Sequence, residues 1–97
     1  MWYNIQYMRQ IKQKLHEKLL TLPETSGVYL MKDDSNNVIY VGKAKNLKRR
    51  VNSYFMSTFQ NVKTEALVNN VYNFDYILTN SELDALILEN NLIKKLV

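Results

Sequence analysis

Apolar and polar positions alternate along the chain in ways that predict seven elements. Met8, Ile11, Leu15 and Leu19 recur every three or four residues, the period of an amphipathic helix, and the run stops before Pro23. Trp2, Tyr3, Ile5 and Tyr7 ahead of it either extend this helix or pack separately. Residues 27–31 and 38–42 are short β-branched and aromatic runs on either side of the polar Asp33-Asp34-Ser35-Asn36-Asn37. Two such runs joined by turn-forming residues predict a β-hairpin. Asn46 is a suitable N-cap, and from it Leu47, Val51 and Phe55 fall at i, i+4 and i+8, a helical stripe. Residues 56–62 read as a loop and 62–71 as a short helix. Residues 72–78 alternate aromatic and polar side chains before turning apolar, which predicts a third strand. Ser81-Glu82-Leu83-Asp84 then matches a capping box and opens a helix that runs nearly to the last residue. The order αββααβα defines an α+β fold, a three-stranded sheet covered by helices.

A length of 97 residues accommodates a single domain, 1–97. There is no cysteine, which removes disulfides, thiolate nucleophiles and Cys-ligated zinc. His16 is the only histidine, too few for a multi-histidine metal site; it reads as a solvated residue of the first helix with no role. No apolar run approaches the roughly 18–20 residues of a membrane span, and residues 1–20 lack a signal-peptide pattern. The chain is therefore expected to work in the cytoplasm, away from membranes.

Charge is the first feature to suggest a partner. The net charge is only +4. Residues 35–64, however, carry six positive side chains and no negative ones, whereas residues 65–97 carry two positive and five negative. The basic block centres on Lys43, Lys45, Lys48, Arg49 and Arg50. That clustering is the footprint of a polyanion-binding surface, or else a solvated helix face.

Candidate chemistry starts from Glu89. On the last helix its i±3 and i±4 neighbours are Ala85, Leu86, Leu92 and Ile93, and Leu96 lies seven residues on, so the carboxylate is expected within an apolar, core-facing stripe. Burial there costs several kcal/mol unless a metal ion, a salt bridge or a proton offsets it. Asp33 and Asp34 belong to the turn, Glu82 and Asp84 to the helix cap. Tyr29 and Tyr40 each stand two residues from a glycine, in mirrored order on adjacent strands, and alternation places both on one sheet face. The glycines, Gly27 and Gly42, would permit close approach of a ligand to the backbone. Lys43 follows Gly42 at the exit of the second strand, and Arg50 and Tyr54 share a helix face at i, i+4, where cations can hold phosphate oxygens.

Together these residues resemble the GIY-YIG nucleases, in the version found at the N-terminus of the bacterial excision-repair endonuclease. The signature tripeptides stand as Gly27-Val28-Tyr29 and Tyr40-Val41-Gly42. Four ordered blocks carry the resemblance from about residue 10 to the end: Leu22-Pro23-Glu24 before the first tripeptide, Ile39 to Leu47, Arg50 with Ser53-Tyr54-Phe55, and Leu88 to Lys95. Residues 1–9 have no counterpart and form a possible N-terminal extension. Valine replaces isoleucine in both tripeptides, an apolar exchange. The family continues past its last helix into a segment whose asparagine assists the site, whereas this chain stops at Leu96-Val97. An excised domain and a short stand-alone relative are both compatible with that.

The resemblance implies divalent-metal-dependent hydrolysis of a DNA phosphodiester, as the 3′-incision module of nucleotide excision repair. Its partners would be damaged duplex DNA and, through regions absent here, the helicase subunit that verifies damage. Glu89 would be the metal ligand, Tyr29 and Tyr40 would flank the attacking water, Lys43 and Arg50 would contact the scissile phosphate, and Tyr54 would support the site. Lys45, Lys48 and Arg49 would extend the DNA-binding surface. One carboxylate suffices for a single Mg²⁺ or Mn²⁺ that keeps several waters, whereas a two-metal cluster needs more acidic ligands. With no histidine at the site, a phenolate is the base expected, Tyr29 with Tyr40 orienting the water or the reverse, its pKa lowered from about 10 by nearby cations. A non-catalytic DNA-binding module and a protein-interaction domain with an acidic partner are the competing readings.

Overall fold

A computed structural model describes residues 13–56 and 62–96 of the chain. The polar pentapeptide reverses the chain as its composition predicts. Asp33 closes the turn with its side chain, its Oδ1 accepting hydrogen bonds from the Ser35 (3.0 Å) and Asn37 (2.9 Å) amides. Asn36 takes the left-handed conformation, φ 64°, that a short polar side chain tolerates. The flanking runs form β1 (Gly27–Lys32) and β2 (Val38–Ala44), each one or two residues longer than the apolar runs themselves. β3 (Asn73–Leu78) pairs with the other side of β1, so the antiparallel sheet has the order β2-β1-β3.

The described residues add four helical segments: α1 (residues 13–20), α2 (Leu47–Met56), α3 (Val62–Asn70) and α4 (Glu82–Leu96). The predicted order αββααβα is the observed one. Asn46 caps α2, its Oδ1 accepting from the Arg49 amide at 3.0 Å, and Ser81 caps α4 through the Asp84 amide at 3.1 Å. Leu15 and Leu19 of the predicted first helix are buried. Met8, Ile11, the four apolar residues before them and the centre of the 56–62 loop lie outside the described residues.

The sheet separates two apolar clusters. On one face Tyr29, Met31 and Phe74 pack with Leu15, Leu19, Leu22, Leu47, Val51 and Val71. On the other, Val28, Leu30 and Val41 meet Ala85, with Leu88 and Leu92 partly buried against them. This second contact corrects the expected α4 stripe. α4 rests on the sheet through Ala85, Leu88 and Leu92, at i, i+3 and i+7, while Leu86, Ile93 and Leu96 are exposed. The line of contact therefore runs beside Glu89 and leaves it half-buried at the border. Apolar neighbours on a helical wheel identify a broad stripe, and the small Ala85 decides which flank sits down on the strands.

Candidate active site

β1 places Tyr29 at the centre of the sheet, directly opposite Gly42 of β2 and Tyr76 of β3. Gly42 has no side chain for a reason internal to the fold. A Cβ there would collide with the Tyr29 phenol, which lies across the β2 backbone. At Gly27 a Cβ would strike the Ile77 carbonyl and the Leu47 side chain. The close approach expected of a ligand is thus occupied by the protein's own residues at both glycines.

Three tyrosines from three elements meet on this face. Ring centroids lie 6.1 Å apart for Tyr29–Tyr40, 5.9 Å for Tyr29–Tyr54 and 6.3 Å for Tyr40–Tyr54, distances at which aromatic pairs attract. The Tyr29 and Tyr54 hydroxyls are hydrogen-bonded at 2.9 Å. One helical turn earlier on α2, Arg50 sets its guanidinium 5.2 Å from the centre of the Tyr54 ring and interacts with the Tyr29 phenol. The predicted sharing of a sheet face by Tyr29 and Tyr40, and of a helix face by Arg50 and Tyr54, is what the structure displays.

Exposure sorts the phenols. Tyr29 is 1% exposed and Tyr40 37%, with Tyr54 between them. Burial pushes the Tyr29 hydroxyl far above the usual tyrosine range, and its contact with Tyr54 adds to this; Arg50 opposes without prevailing. Tyr40 is raised as well, by burial first, then by Tyr54, and further by the negative charge of Glu89, again against Arg50. The expected lowering of a tyrosine pKa by neighbouring cations is therefore reversed in this state. Desolvation of a phenolate in the sheet's interior costs more than one partly exposed guanidinium returns. Arg50 is itself raised, chiefly by Tyr29.

Glu89 approaches this cluster from the opposite side of the sheet, close enough for its charge to act on Tyr40. Among the described residues it forms no ion pair, so the salt-bridge alternative does not hold there. Nor do the described residues hold a group of three or more His, Cys, Asp or Glu able to cage a metal ion. A lone, half-buried, unpaired carboxylate fits one hard cation that keeps most of its waters.

The remaining cations do not converge. Lys43 pairs with Val28 across the hairpin, which sets it on the face that α4 covers rather than with the tyrosines. Lys45 is drawn toward α4 by Glu82 at 3.7 Å. Lys48 and Arg49 occupy the first turn of α2, Arg49 exposed and Lys48 half-buried. His16 is exposed on α1, as expected of a solvated residue. Asn52, which no motif singled out, donates to the Leu19 carbonyl (3.3 Å) and the Lys48 carbonyl (2.7 Å), joining α2 to the end of α1. No helix among the described residues is long and apolar enough to cross a membrane.

The fold is that of a GIY-YIG type of domain, and the likeness extends to individual proteins. Residues 25–97 match the family model of the UvrC-like GIY-YIG domain. The chain therefore belongs to the GIY-YIG family, in its UvrC-like branch. It is 60% identical over 76 residues to UvrABC system protein C of Fusobacterium nucleatum, covering 78% of this chain and 13% of that protein. The Treponema denticola protein of the same name is 55% identical over 84 residues, 87% of this chain and 13% of the relative. The chain thus spans about an eighth of the length of these curated relatives. Among solved structures it resembles the GIY-YIG N-terminal endonuclease domain of UvrC from Thermotoga maritima bound to its catalytic magnesium, with TM-score 0.76 and 38% identity over 86% of this chain and 90% of that one. A tyrosine-to-phenylalanine variant of that domain, also bound to its catalytic divalent cation, matches with TM-score 0.76 and 37% identity.

Proposed function

We propose that the chain is a metal-dependent DNA endonuclease domain that hydrolyses a phosphodiester bond, serving as the 3′-incision module of bacterial nucleotide excision repair. The observation that carries this reading is the Glu89 carboxylate, without an ion pair among the described residues and close enough to act on Tyr40 of the Tyr29–Tyr40–Tyr54–Arg50 cluster. A partly exposed carboxylate that forms no ion pair with the described residues keeps its oxygen lone pairs available to a ligand. Magnesium in the related Thermotoga maritima domain supports a divalent cation, Mg²⁺ or Mn²⁺, as that ligand.

Glu89 would hold one such ion, which when bound supplies positive charge at the scissile phosphate and the leaving oxygen. Arg50, already turned toward the phenols, binds a non-bridging phosphate oxygen. Tyr40 is the most exposed of the three phenols, so it orients the attacking water and, once the charges around it favour the anion and its own proton has passed to solvent, receives the water's proton. Water oxygen bonds to phosphorus, the P–O3′ bond breaks, and the leaving oxygen takes a proton from solvent, giving a 3′-hydroxyl and a 5′-phosphate. Tyr29, sealed from solvent, holds Tyr54 and Arg50 in place rather than acting as base. Lys43, Lys45, Lys48 and Arg49 neutralise flanking phosphates, giving salt-sensitive binding with little sequence preference. Damaged duplex DNA and the other excinuclease subunits are the partners this reading requires, in the cytoplasm.

The test is nicking of supercoiled plasmid with Mg²⁺ or Mn²⁺ by the chain and by Glu89→Gln, with DNA binding measured alongside. Metal-dependent nicking lost in the variant, at unchanged DNA affinity, supports the reading. Binding without nicking by the parent chain would instead indicate a DNA-binding module of the same fold.

A further inference from the structure

Pro23 belongs to a motif that the proposed chemistry leaves unused, the Leu22-Pro23-Glu24 block ahead of β1. Two carbonyls of this block and the residue after it are used by α2. The Pro23 carbonyl accepts a hydrogen bond from the Lys48 amide at 3.2 Å, and the Thr25 carbonyl accepts one from the Leu47 amide at 3.0 Å. With Asn46 Oδ1 on the Arg49 amide, the first three amides of α2 all have partners. A helix start usually leaves these donors to water or to an anion. Here the segment leading into β1 takes two of them. Leu22 packs in the same cluster as Leu47 and Val51, and Ser26 ends the segment by accepting from the Thr79 amide at 3.1 Å, just beyond β3. Residues 22–26 therefore tie the start of α2 to the two strands β1 and β3, and Asn52 adds a side-chain tie from the next turn to α1.

We infer that Pro23 and Thr25, with Asn52, are positioning residues that fix α2 so that Arg50 and Tyr54 meet Tyr29. The inference rests on the endonuclease reading for its catalytic consequence, and on geometry alone for the packing. Tyr54 lies six residues beyond Lys48, about 9 Å along the helix axis. A tilt of roughly 6° about the anchored end moves it about 1 Å at that distance, a displacement on the scale that costs reaction rate. A corollary is that the α2 N-terminus is not a phosphate site, since its amides are spent inside the fold.

The experiment replaces single backbone amides by esters in the full chain, leaving every side chain intact. An ester at Lys48 deletes the donor to Pro23. An ester at Val71, whose amide bonds the Val68 carbonyl at 3.2 Å, deletes one backbone bond at the end of α3 and serves as control. Both should lower Tm by similar amounts. Only the Lys48 ester should change the near-ultraviolet circular dichroism of the coupled tyrosines and lower kcat about tenfold at unchanged KM for DNA, and Asn52→Ala should do the same more weakly. Equal spectra and equal kcat for the Lys48 and Val71 esters would overturn the inference. If the parent chain does not cleave DNA, the endonuclease reading fails, and the spectral comparison still decides whether the strap positions α2.

Discussion

The two faces of the sheet are built to different standards. On the α2 side the side chains are sealed and interlocked. Tyr29, Met31, Leu47, Val51 and Phe74 are almost wholly buried, and the hydroxyls of Tyr29 and Tyr54 satisfy each other. On the α4 side only Ala85 of the helix is buried among the described residues, several large apolar residues face outward, and the Glu89 carboxylate forms no ion pair with a described residue. On the proposed reading, the first face sets geometry and the second offers a ligand position, so that a site at their seam would draw rigidity from one and chemical availability from the other.

Substitutions that act on one face and spare the other test this division. Glu89→Gln should have the largest effect, a loss of nicking of about a thousandfold or more with Tm unchanged, because a metal's charge stabilisation is removed while no packing contact is broken. Retained metal-dependent activity in a plasmid assay would dissociate the loose face from the chemistry. Arg50→Ala should follow, reducing kcat by roughly 10²–10³, and Arg50→Lys should restore little, since an ammonium cannot reproduce the planar contact with phenol and phosphate.

Stability should respond in the opposite sense. Leu47→Ala, which opens a cavity in the sealed face, should destabilise by about 2–5 kcal/mol in urea, whereas Leu83→Ala, 65% exposed on α4, should stay within about 0.5 kcal/mol. Comparable losses at the two positions would erase the distinction. The smallest effect concerns alkaline pH. Burial raises the Tyr29 hydroxyl above the ordinary tyrosine value of about 10. The unfolded chain therefore sheds its proton first as pH rises. Its contribution is complete below pH 10 and declines above it, by up to about 1.4 kcal/mol per pH unit until the folded-state value is reached. Tyr29→Phe should flatten that decline in a denaturation series from pH 9 to 11.

Much of this was written in local patterns. The hairpin, both caps and the αββααβα order follow from turn residues, side-chain oxygens and apolar periods that act within a few residues. The meeting of Tyr29 with Tyr40 follows from strand alternation once the hairpin register is granted. What depended on docking was not legible. Glu89 shares a wheel sector with five apolar residues, yet α4 tilts onto Ala85, Leu88 and Leu92 and leaves it at the edge. The charge environment of the phenols depends on docking in the same way. Counting Lys43 and Arg50 near the tyrosines predicts a lowered pKa, but Lys43 projects to the other face and burial of Tyr29 outweighs the remaining guanidinium. Backbone carbonyls such as those of Pro23 and Thr25 carry no side-chain signal of their role at all.

Binding of one divalent cation by Glu89 is the central claim of the proposed mechanism, and anomalous diffraction from crystals soaked in Mn²⁺ addresses it directly. The account predicts a single strong peak at coordination distance, about 2.1 Å, from a Glu89 carboxylate oxygen and on the side facing Tyr40, absent from Glu89→Gln crystals. A peak ligated by other carboxylates, or one that persists unchanged in the variant, would contradict it.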